Sequence, residues 1–176
     1  MEQNNLHIDR SMIPEDAGAD QSELDLETLS IYASQVDPPN CYIEIGTYKG
    51  GSALAVLQIL KPGVEVYTVD PLDQVVNKSE KIHYITNRSV ETSQGWDKPI
   101  GALFIDADHA RAMEDFLAWE KFVVLDGCIL FHDYAPQHSP QVVKDCDQII
   151  RTYRNYKPCK RIVGSSIFII KKISNI

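Results

Sequence analysis

The chain has 176 residues and a formal net charge of −8 at pH 7, with 44% hydrophobic and 24% charged residues. This length suits one domain that can build its own core without a metal or disulfides. The acidic balance disfavours nucleic acid and anionic membranes as partners, since both bind basic faces. No cysteine pair has CxxC spacing, the N-terminus is unlike a signal peptide, and no apolar run approaches about 20 residues. We therefore expect a cytoplasmic protein without a membrane span.

Helical and strand-like patterns alternate along the chain from Ser22 onward. The polar residues 1–21 show no strong pattern, and we predict a flexible arm or lid there, followed by one domain over residues 22–176. The first helix begins at Ser22 and stops at the Asp37-Pro-Pro39 break. The later elements are predicted in chain order as strand 41–45, helix 52–60, strand 64–69, a weak strand 82–86, strand 102–105, helix 110–124, strand 128–131, helix 142–153, and a terminal hairpin of 161–163 and 166–170.

This alternation predicts parallel strands joined by right-handed βαβ crossovers. Strands that are apolar almost throughout fit a sheet covered by helices on both faces, and the closing hairpin would add an antiparallel edge. We therefore predict a doubly wound α/β fold with a mostly parallel sheet. Polar clusters follow the carboxyl ends of the strands, where open sheets of this kind bind ligands at the topological switch point.

A glycine-rich turn, Glu44-Ile-Gly-Thr-Tyr-Lys-Gly-Gly-Ser52, follows the first strand and opens a helix. Gly46 would permit a tight turn, Gly50 and Gly51 would let a ligand approach the backbone, and Ser52 would cap the helix. A plain strand-to-helix turn would also explain these residues. Asp70, at the end of the second strand and 24 residues after Gly46, favours a ligand. An acid at this place typically holds the two hydroxyls of a ribose.

The spacing of the glycines helps to distinguish between nucleoside cofactors. The dinucleotide fingerprint G-x-G-x-x-G lacks its second glycine here, and Glu44 would repel a pyrophosphate near the turn. An acid there would instead attract a cation, and S-adenosylmethionine carries both an ammonium and a sulfonium. The residues thus favour S-adenosylmethionine over NAD, and an NAD-linked oxidoreductase is the less favoured alternative.

Four segments appear together, and in the same order, in a known group of enzymes. They are Ile43-Glu-Ile-Gly-Thr-Tyr-Lys-Gly-Gly-Ser52, Tyr67-Thr-Val-Asp-Pro71, Leu103-Phe-Ile-Asp-Ala-Asp-His109 and Asp126-Gly-Cys-Ile-Leu-Phe-His-Asp-Tyr134. In these segments the chain resembles class I S-adenosylmethionine-dependent methyltransferases. Within that class it resembles the small O-methyltransferase-like group, which includes catechol-type and macrolide-sugar O-methyltransferases and cephalosporin-hydroxylase-like proteins.

The resemblance implies a Rossmann-like sheet of seven strands and S-adenosylmethionine as the cofactor. It implies cofactor contacts from Glu44, Gly46, Ser52 and Asp70, with Ser89 beside the adenine. To these contacts we add further residues of the same turn and one strand end, namely Thr47, Tyr48, Gly51 and Asp106.

Five titratable residues end two strands that are adjacent in such a fold: Asp106, Asp108, His109, His132 and Asp133. Aspartate and histidine can bind a divalent cation, and a neutral histidine can act as a general base near pH 7. Metal binding and base catalysis would both serve methyl transfer, because a metal lowers the pKa of a bound acceptor hydroxyl and a base removes its proton. Helix capping, a surface pair of Asp108 with His109, and a satisfied polar His132 would explain the same residues without a site.

Metal-dependent members of the group sharpen this scheme. They carry acids at the positions of Asp106 and Asp133, and a base three residues after the first acid, which is His109 here. The third metal ligand stays open, because catechol-type members have an asparagine where this chain has Tyr134. His132 is the candidate, and this softer ligand would shift the metal preference toward Mn²⁺, Fe²⁺ or Zn²⁺. We assign His109 and Asp106 as catalytic residues, and a divalent metal such as Mg²⁺ or Mn²⁺ to Asp106, His132 and Asp133.

The residues support two hypotheses of function from different classes. The first is transfer of a methyl group from S-adenosylmethionine to an oxygen of a small-molecule acceptor. The second is a cofactor-binding domain with little or no catalysis, since the chain lacks the long insertions that build acceptor pockets in larger relatives. The acceptor's identity stays open. A homodimer, in which a neighbour supplies the missing pocket walls, is an alternative to a monomer.

Overall fold

Seven strands form one sheet in the part of the chain that the computed structural model describes, residues 8–15 and 21–175. The strands are β1 (Cys41–Ile45), β2 (Val66–Asp70), β3 (Ile82–Thr86), β4 (Ile100–Ile105), β5 (Val123–Phe131), β6 (Tyr156–Pro158) and β7 (Phe168–Lys172). Their order across the sheet is β3-β2-β1-β4-β5-β7-β6. The first five strands are parallel, and β7 runs antiparallel to both β5 and β6.

Helices connect the strands and cover both faces of the sheet. They are α1 (Glu23–Ala33), α2 (Gly51–Leu57), α3 (Ser89–Gln94), α4 (Ala112–Trp119) and α5 (Pro140–Thr152), with short 3₁₀ turns at Arg10–Met12 and Glu120–Phe122. Tyr42 of β1 shares a core with Leu29 of α1 and Val56 of α2. Its neighbour Ile43 shares a second core with Phe116 of α4. Because successive side chains point to opposite faces of a strand, the sheet separates two cores.

The predicted Rossmann-like, mostly parallel sheet with an antiparallel C-terminal edge is confirmed. The strand bounds 41–45 and 82–86 are confirmed as well. Within the described ranges, no helix has the length and apolarity needed to cross a membrane. The arm or lid predicted for residues 1–21 lies in good part outside the described residues. It stays a prediction, as does the single domain over residues 22–176.

The helix predicted for residues 110–124 is too long. Helix α4 ends at Trp119, and Val124 belongs to β5, whose first residue Val123 pairs with Ile100 of β4. Two consecutive β-branched residues favour an extended backbone over a helix, and pairing with β4 adds the hydrogen bonds that decide between them.

The first strand of the predicted terminal hairpin is misplaced. The hairpin consists of β6 and β7, and residues 161–163 form a loop between them. The Arg161 side chain donates to the carbonyl oxygen of Ser165 at 2.7 Å, and the Ser165 amide donates to the carbonyl of Ile162 at 3.1 Å. These bonds fold the segment into a turn at Gly164, whose φ is +95°. A closed turn of this kind leaves no extended backbone for strand pairing.

Candidate active site

The carboxyl ends of β1 and β4 open into a cleft at the topological switch point of the sheet. The chain leaves β1 toward β2 on one side and later enters β4 on the other, so the loops after the two strands diverge. The cleft has a volume of about 270 Å³. The residues that line it are Gln21, Gly46, Thr47, Tyr48, Ser52, Asp106, Ala107, His109, His132 and Asp133. All of them except Gln21 and Ala107 belong to the site predicted from the sequence.

The turn after β1 requires glycine at position 46. The φ of Gly46 is +97°, and a Cβ atom there would lie 2.1 Å from the carbonyl oxygen of Asp106. Tyr48 and Gly50 also have positive φ, of 47° and 89°. β1 and β4 pair directly up to Ile45 and Ile105, and the turn then passes against the backbone of Asp106. The turn and Asp106 therefore face the same cleft.

Ser52 does not cap α2, in contrast to our expectation. The N-cap of α2 is Gly50, and the Ser52 hydroxyl instead donates to Glu44 Oε1 at 2.5 Å. Glu44 is fully buried below the turn and also accepts a hydrogen bond from the Tyr42 hydroxyl at 3.2 Å.

Burial raises the pKa of Glu44 to about 8, although the hydrogen bonds from Ser52 and Tyr42 act to lower it. The folded protein therefore keeps this carboxyl group largely protonated at neutral pH. Glu44 is also absent from the described residues that line the cleft. Both findings weaken the electrostatic preference for a cationic cofactor that we based on its charge.

Asp70 stands at the end of β2, as predicted, and binds the glycine turn directly. Its Oδ2 atom accepts hydrogen bonds from the amides of Thr47 and Tyr48, both at 3.0 Å, and its Oδ1 atom accepts one from the amide of Leu72 at 2.8 Å. The carboxylate thus fixes the conformation of the turn. Its contact with a ribose stays a prediction.

The second half of the site follows β4 and β5. Asp106 comes directly after β4, His109 lies in the loop before α4, and Asp133 follows β5 by two residues. Nε2 of His109 is 2.7 Å from Oδ2 of Asp133. Asp106, His109 and Asp133 can each offer one ligand atom, and these atoms lie within 4.8 Å of one another. Such a set of two carboxylates and one imidazole suits a divalent cation.

Backbone strain accompanies Asp133, which has a φ of 54°. Non-glycine residues rarely take such left-handed values, and they cluster at functional sites when they do. Contact with His132 lowers the pKa of Asp133 against the effect of burial, and the nearby His109 lowers it further. The Asp133 carboxylate is therefore charged at neutral pH.

His132 lies beneath this cluster with a side chain only 9% exposed. Its Nδ1 atom is 3.0 Å from Oδ1 of Asp106 and 3.2 Å from Oδ2 of Asp133, and its Nε2 atom is 3.7 Å from Oδ2 of Asp25. Among the described residues neither nitrogen has a hydrogen-bond partner, so these contacts are ion pairs. Burial opposes protonation, but the three carboxylates prevail and raise the pKa of His132 to about 12.

A protonated imidazole has no lone pair for a metal. The side chains placed to hold a metal are therefore Asp106, His109 and Asp133. His132 acts as an internal cation between the two acids. The prediction that His132 is the third metal ligand is untested and would require the ring to lose its proton.

Two polar residues near the cleft were missed by sequence reasoning, and both come from the region of α1. Gln21 donates from Nε2 to Oδ2 of Asp106 at 2.7 Å. Asp25 accepts hydrogen bonds from the hydroxyl of Ser165 at 2.8 Å and the amide of Ser166 at 2.6 Å. Burial acts to raise the pKa of Asp25, but His132 and these hydrogen bonds hold it well below its ordinary value.

A sequence signal for Asp25 does exist, since Ser22 and Asp25 form a capping box at the start of α1. That signal marks a helix start and does not indicate that Asp25 contacts His132, the residue after β5. Neither Asp25 nor Gln21 could therefore be assigned to the site from local spacing.

The remaining predicted residues lie apart from the cleft lining. The Ser89 hydroxyl, at the start of α3, accepts a hydrogen bond from the Trp119 indole at 2.8 Å. Gly51 is the buried first residue of α2. Asp108 is exposed, accepts a hydrogen bond from the amide of Ala110 at 3.0 Å, and pairs with Arg111 at 3.6 Å. The cofactor contacts assigned to Ser89 and Gly51 stay predictions.

A doubly wound sheet of this order, with a glycine turn and an acid at neighbouring strand ends, defines a class of α/β proteins that bind nucleosides or nucleotides. Within that class, a family model described as a methyltransferase domain matches residues 43–134, which include the glycine turn and the cluster after β4 and β5. The chain belongs to this methyltransferase family.

Curated proteins and solved structures resemble the chain. Uncharacterized protein R132 of Acanthamoeba polyphaga mimivirus is 28% identical in an alignment of 147 positions that covers 70% of this chain and 66% of that protein. The SAH-bound methyltransferase PaMTH1 of Podospora anserina superposes with a TM-score of 0.73 and 15% identity, over 94% of this chain and 84% of that one. The O-methyltransferase of Bacillus cereus in complex with SAH gives a TM-score of 0.63 and 16% identity, over 93% and 86%.

A third structure, the O-methyltransferase TomG of Streptomyces achromogenes in complex with SAM, gives a TM-score of 0.64 and 15% identity, over 92% of this chain and 83% of that one. At these identities the likeness to solved structures shows the fold. The chain covers slightly less than two thirds of the viral relative's length.

Proposed function

We propose that this protein transfers a methyl group from S-adenosylmethionine to an oxygen of a small-molecule acceptor. The observation that carries the proposal is the cleft itself, because the glycine turn after β1 and the acid–histidine cluster after β4 and β5 line the same cavity. Similar folds that hold SAH or SAM, in PaMTH1, the Bacillus cereus enzyme and TomG, add support.

The residues of the glycine turn fit the cofactor. The turn presents a backbone with glycine at 46, 50 and 51, and the first amides of α2 have no acceptor within the helix. Gly46, Thr47 and Ser52 would face the methionine part of the cofactor, and Asp70 would face the ribose. The acidic lining opposite, at Asp106 and Asp133, suits a ligand with cationic groups. The cofactor supplies an electrophilic methyl group on its sulfonium.

His109 is suited to remove the acceptor's proton. Its side chain is 48% exposed, and Nε2 lies 2.7 Å from Oδ2 of Asp133. With the proton of the neutral ring on Nε2, the carboxylate orients the imidazole, and Nδ1 is left to accept the proton of an acceptor hydroxyl. Asp133 would then stabilise the imidazolium that forms. Base catalysis by a positioned histidine typically contributes about 10²- to 10⁴-fold in rate.

The same residues could instead hold a divalent metal. Asp106, His109 and Asp133 fit Mg²⁺ or Mn²⁺, which would lower the pKa of a bound acceptor hydroxyl. His109 cannot serve as ligand and base through the same lone pair, so the two schemes exclude each other. The cationic His132, which already lies between Asp106 and Asp133, favours the scheme in which His109 is the base.

Calorimetric titration with S-adenosylhomocysteine tests the cofactor assignment. We expect binding with a Kd well below 1 mM, and the absence of binding in that range would refute the proposal. Enhancement of NADH fluorescence on mixing would favour an NAD-linked oxidoreductase instead.

Turnover is tested with methyl-labelled S-adenosylmethionine and a panel of phenols, sugars and polyketide hydroxyl compounds. Parallel reactions contain Mg²⁺, Mn²⁺ or EDTA. Activity that survives EDTA supports His109 as base, whereas activity that needs Mg²⁺ or Mn²⁺ supports the metal scheme. Tight cofactor binding without turnover on any acceptor would favour a binding domain with little or no catalysis.

Composition supports a small acceptor in place of nucleic acid, because the net charge is −8. We keep a homodimer and a cytoplasmic location as further proposals. Size-exclusion chromatography with light scattering would decide the oligomeric state.

A further inference from the structure

Gln21 holds a fixed position in the wall of the cleft. Its side chain is buried, with 8% of the residue exposed, and its Nε2 atom donates to Oδ2 of Asp106 at 2.7 Å. The backbone carbonyl oxygen of Gln21 accepts a hydrogen bond from the Arg10 side chain at 2.9 Å, which fixes the main chain at this position. The amide cannot be reversed, because a reversed amide would set two oxygens against each other at Asp106.

The other end of the same amide lacks a partner. Oε1 of Gln21 is buried, and among the described residues no donor bonds to it. Buried amide oxygens are nearly always hydrogen-bonded, because an unpaired one has lost its water without replacement. Since Nε2 and Oε1 belong to one amide group, the unpaired oxygen lies beside the contact with Asp106, in a residue that lines the cleft. A ligand in the cleft can supply the missing donor.

We infer that Gln21 Oε1 accepts a hydrogen bond from the α-ammonium group of the cofactor's methionine part. The inference rests on the proposed function, since it assigns one group of S-adenosylmethionine to one atom of the cleft. An ammonium group has three N–H donors. It can donate to Gln21 Oε1 and to the neighbouring Asp106 carboxylate together, whereas an acceptor hydroxyl has a single hydrogen.

The charges around Gln21 favour the same ligand group. Asp106 and Asp133 both line the cleft, and the cationic His132 between them offsets only one of their two charges, so an approaching cation is attracted and a carboxylate is repelled. An amide oxygen beside a carboxylate gives an ammonium one neutral and one charged acceptor. Gln21 lies outside the segments that carry the likeness to methyltransferases, and its role follows from the orphaned oxygen.

Calorimetry on Gln21→Leu tests this inference with two probes. S-adenosylhomocysteine has the α-ammonium group, and 5′-methylthioadenosine lacks the whole amino-acid part but keeps the nucleoside and the sulfur. Leucine is close to glutamine in size and removes only the polar amide. We expect the affinity for S-adenosylhomocysteine to fall about 10- to 100-fold, as for a lost hydrogen bond to a charged group. The affinity for 5′-methylthioadenosine should stay within about twofold.

Gln35→Leu is the matched control. Gln35 is exposed just beyond the other end of α1, where its side chain bonds only to the carbonyl of Ile31 among the contacts of the described residues. Both probes should bind this variant as they bind the wild type. If Gln21→Leu fails to fold, as judged by thermal denaturation, Gln21→Met replaces it with a more adaptable apolar side chain.

The possible outcomes separate the inference from the function on which it rests. A wild type that binds neither probe refutes the proposed function. A wild type that binds S-adenosylhomocysteine as tightly as Gln21→Leu refutes this inference alone. Equal losses for both probes would make Gln21 a structural residue and overturn the assignment. A loss of Mn²⁺ affinity, with S-adenosylhomocysteine binding unchanged, would assign the oxygen to a metal and overturn it as well.

Discussion

Replacing Gly46 with alanine tests whether the glycine turn is required for the site. A Cβ atom at this position would lie 2.1 Å from the carbonyl oxygen of Asp106, 2.6 Å from its carbonyl carbon and 3.0 Å from Cα of Ala107. All three are backbone atoms at the end of β4, and no side-chain rotation can relieve the overlap. The φ of +97° adds strain for any residue with a Cβ.

The magnitude follows from these two effects. A non-glycine residue in a sparsely populated backbone region costs about 1–3 kcal/mol, and overpacking that moves backbone costs a further 1–3 kcal/mol or so. We expect Gly46→Ala to lower the free energy of unfolding by about 2–6 kcal/mol, against a typical total of about 5–15 kcal/mol. Displacement of Asp106 should also weaken binding of S-adenosylhomocysteine.

Gly95→Ala is the control for this prediction. Gly95 has a φ of −104°, and a Cβ there would meet no atom within 4 Å. Alanine should therefore change the stability by less than about 1 kcal/mol. Urea denaturation of the wild type and both variants gives the free energies of unfolding, and calorimetry gives the affinities. If Gly46→Ala proves as stable as Gly95→Ala and binds S-adenosylhomocysteine normally, the close approach of β1 and β4 is not a requirement.

Two further substitutions test the electrostatics. Glu44→Gln should remove a pH dependence of stability: burial raises the pKa of Glu44 from 4.5 to about 8, so the folded state keeps a proton that the unfolded chain loses. As the pH rises from 5 to 8, the free energy of unfolding of the wild type should therefore fall by up to about 1.4 kcal/mol per pH unit relative to that of Glu44→Gln. If urea denaturation gives the two proteins the same pH dependence, this reasoning is wrong. His109→Ala should lower kcat about 10²- to 10⁴-fold with S-adenosylhomocysteine affinity nearly unchanged, while His138→Ala, at an exposed histidine, should leave both unchanged. Unaltered turnover in His109→Ala would exclude His109 as the base.

The fold could be predicted because its determinants are local and periodic. Runs such as 102–105 are apolar throughout because they lie between two layers of helices. The first helix was predicted to stop at the Asp37-Pro-Pro39 break, but α1 already ends at Ala33. Helix α3 escaped prediction because its buried residue is Ser93, so it has no apolar stripe. The helix predicted for 110–124 runs into Val123 and Val124 of β5 because the pairing of Val123 depends on Ile100 of β4, more than twenty positions away.

The site could be predicted only in part, for a related reason. Polar residues directly after strands, such as Asp106 and Asp133, were found because the carboxyl ends of parallel strands meet at one edge. The state of each side chain depends on its surroundings, which spacing does not reveal. The sequence predicts a negative charge at Glu44, but the side chain is buried and largely protonated. The sequence predicts a metal ligand at His132, but the ring is a cation.

The N-terminal helix is part of the candidate site, although its sequence signals indicate only a helix start. Nδ1 of His132 faces Asp106 and Asp133, which lie in the segment matched by the family model, whereas Nε2 faces Asp25, which lies outside it. The same Asp25 carboxylate holds the turn at Ser165 that precedes β7. The matched segment thus carries the glycine turn and the reacting groups, but the cluster is set in place by α1 and the C-terminal hairpin. Gln21, which lines the cleft two residues before α1 begins and donates to Asp106, joins this N-terminal support to the wall of the site.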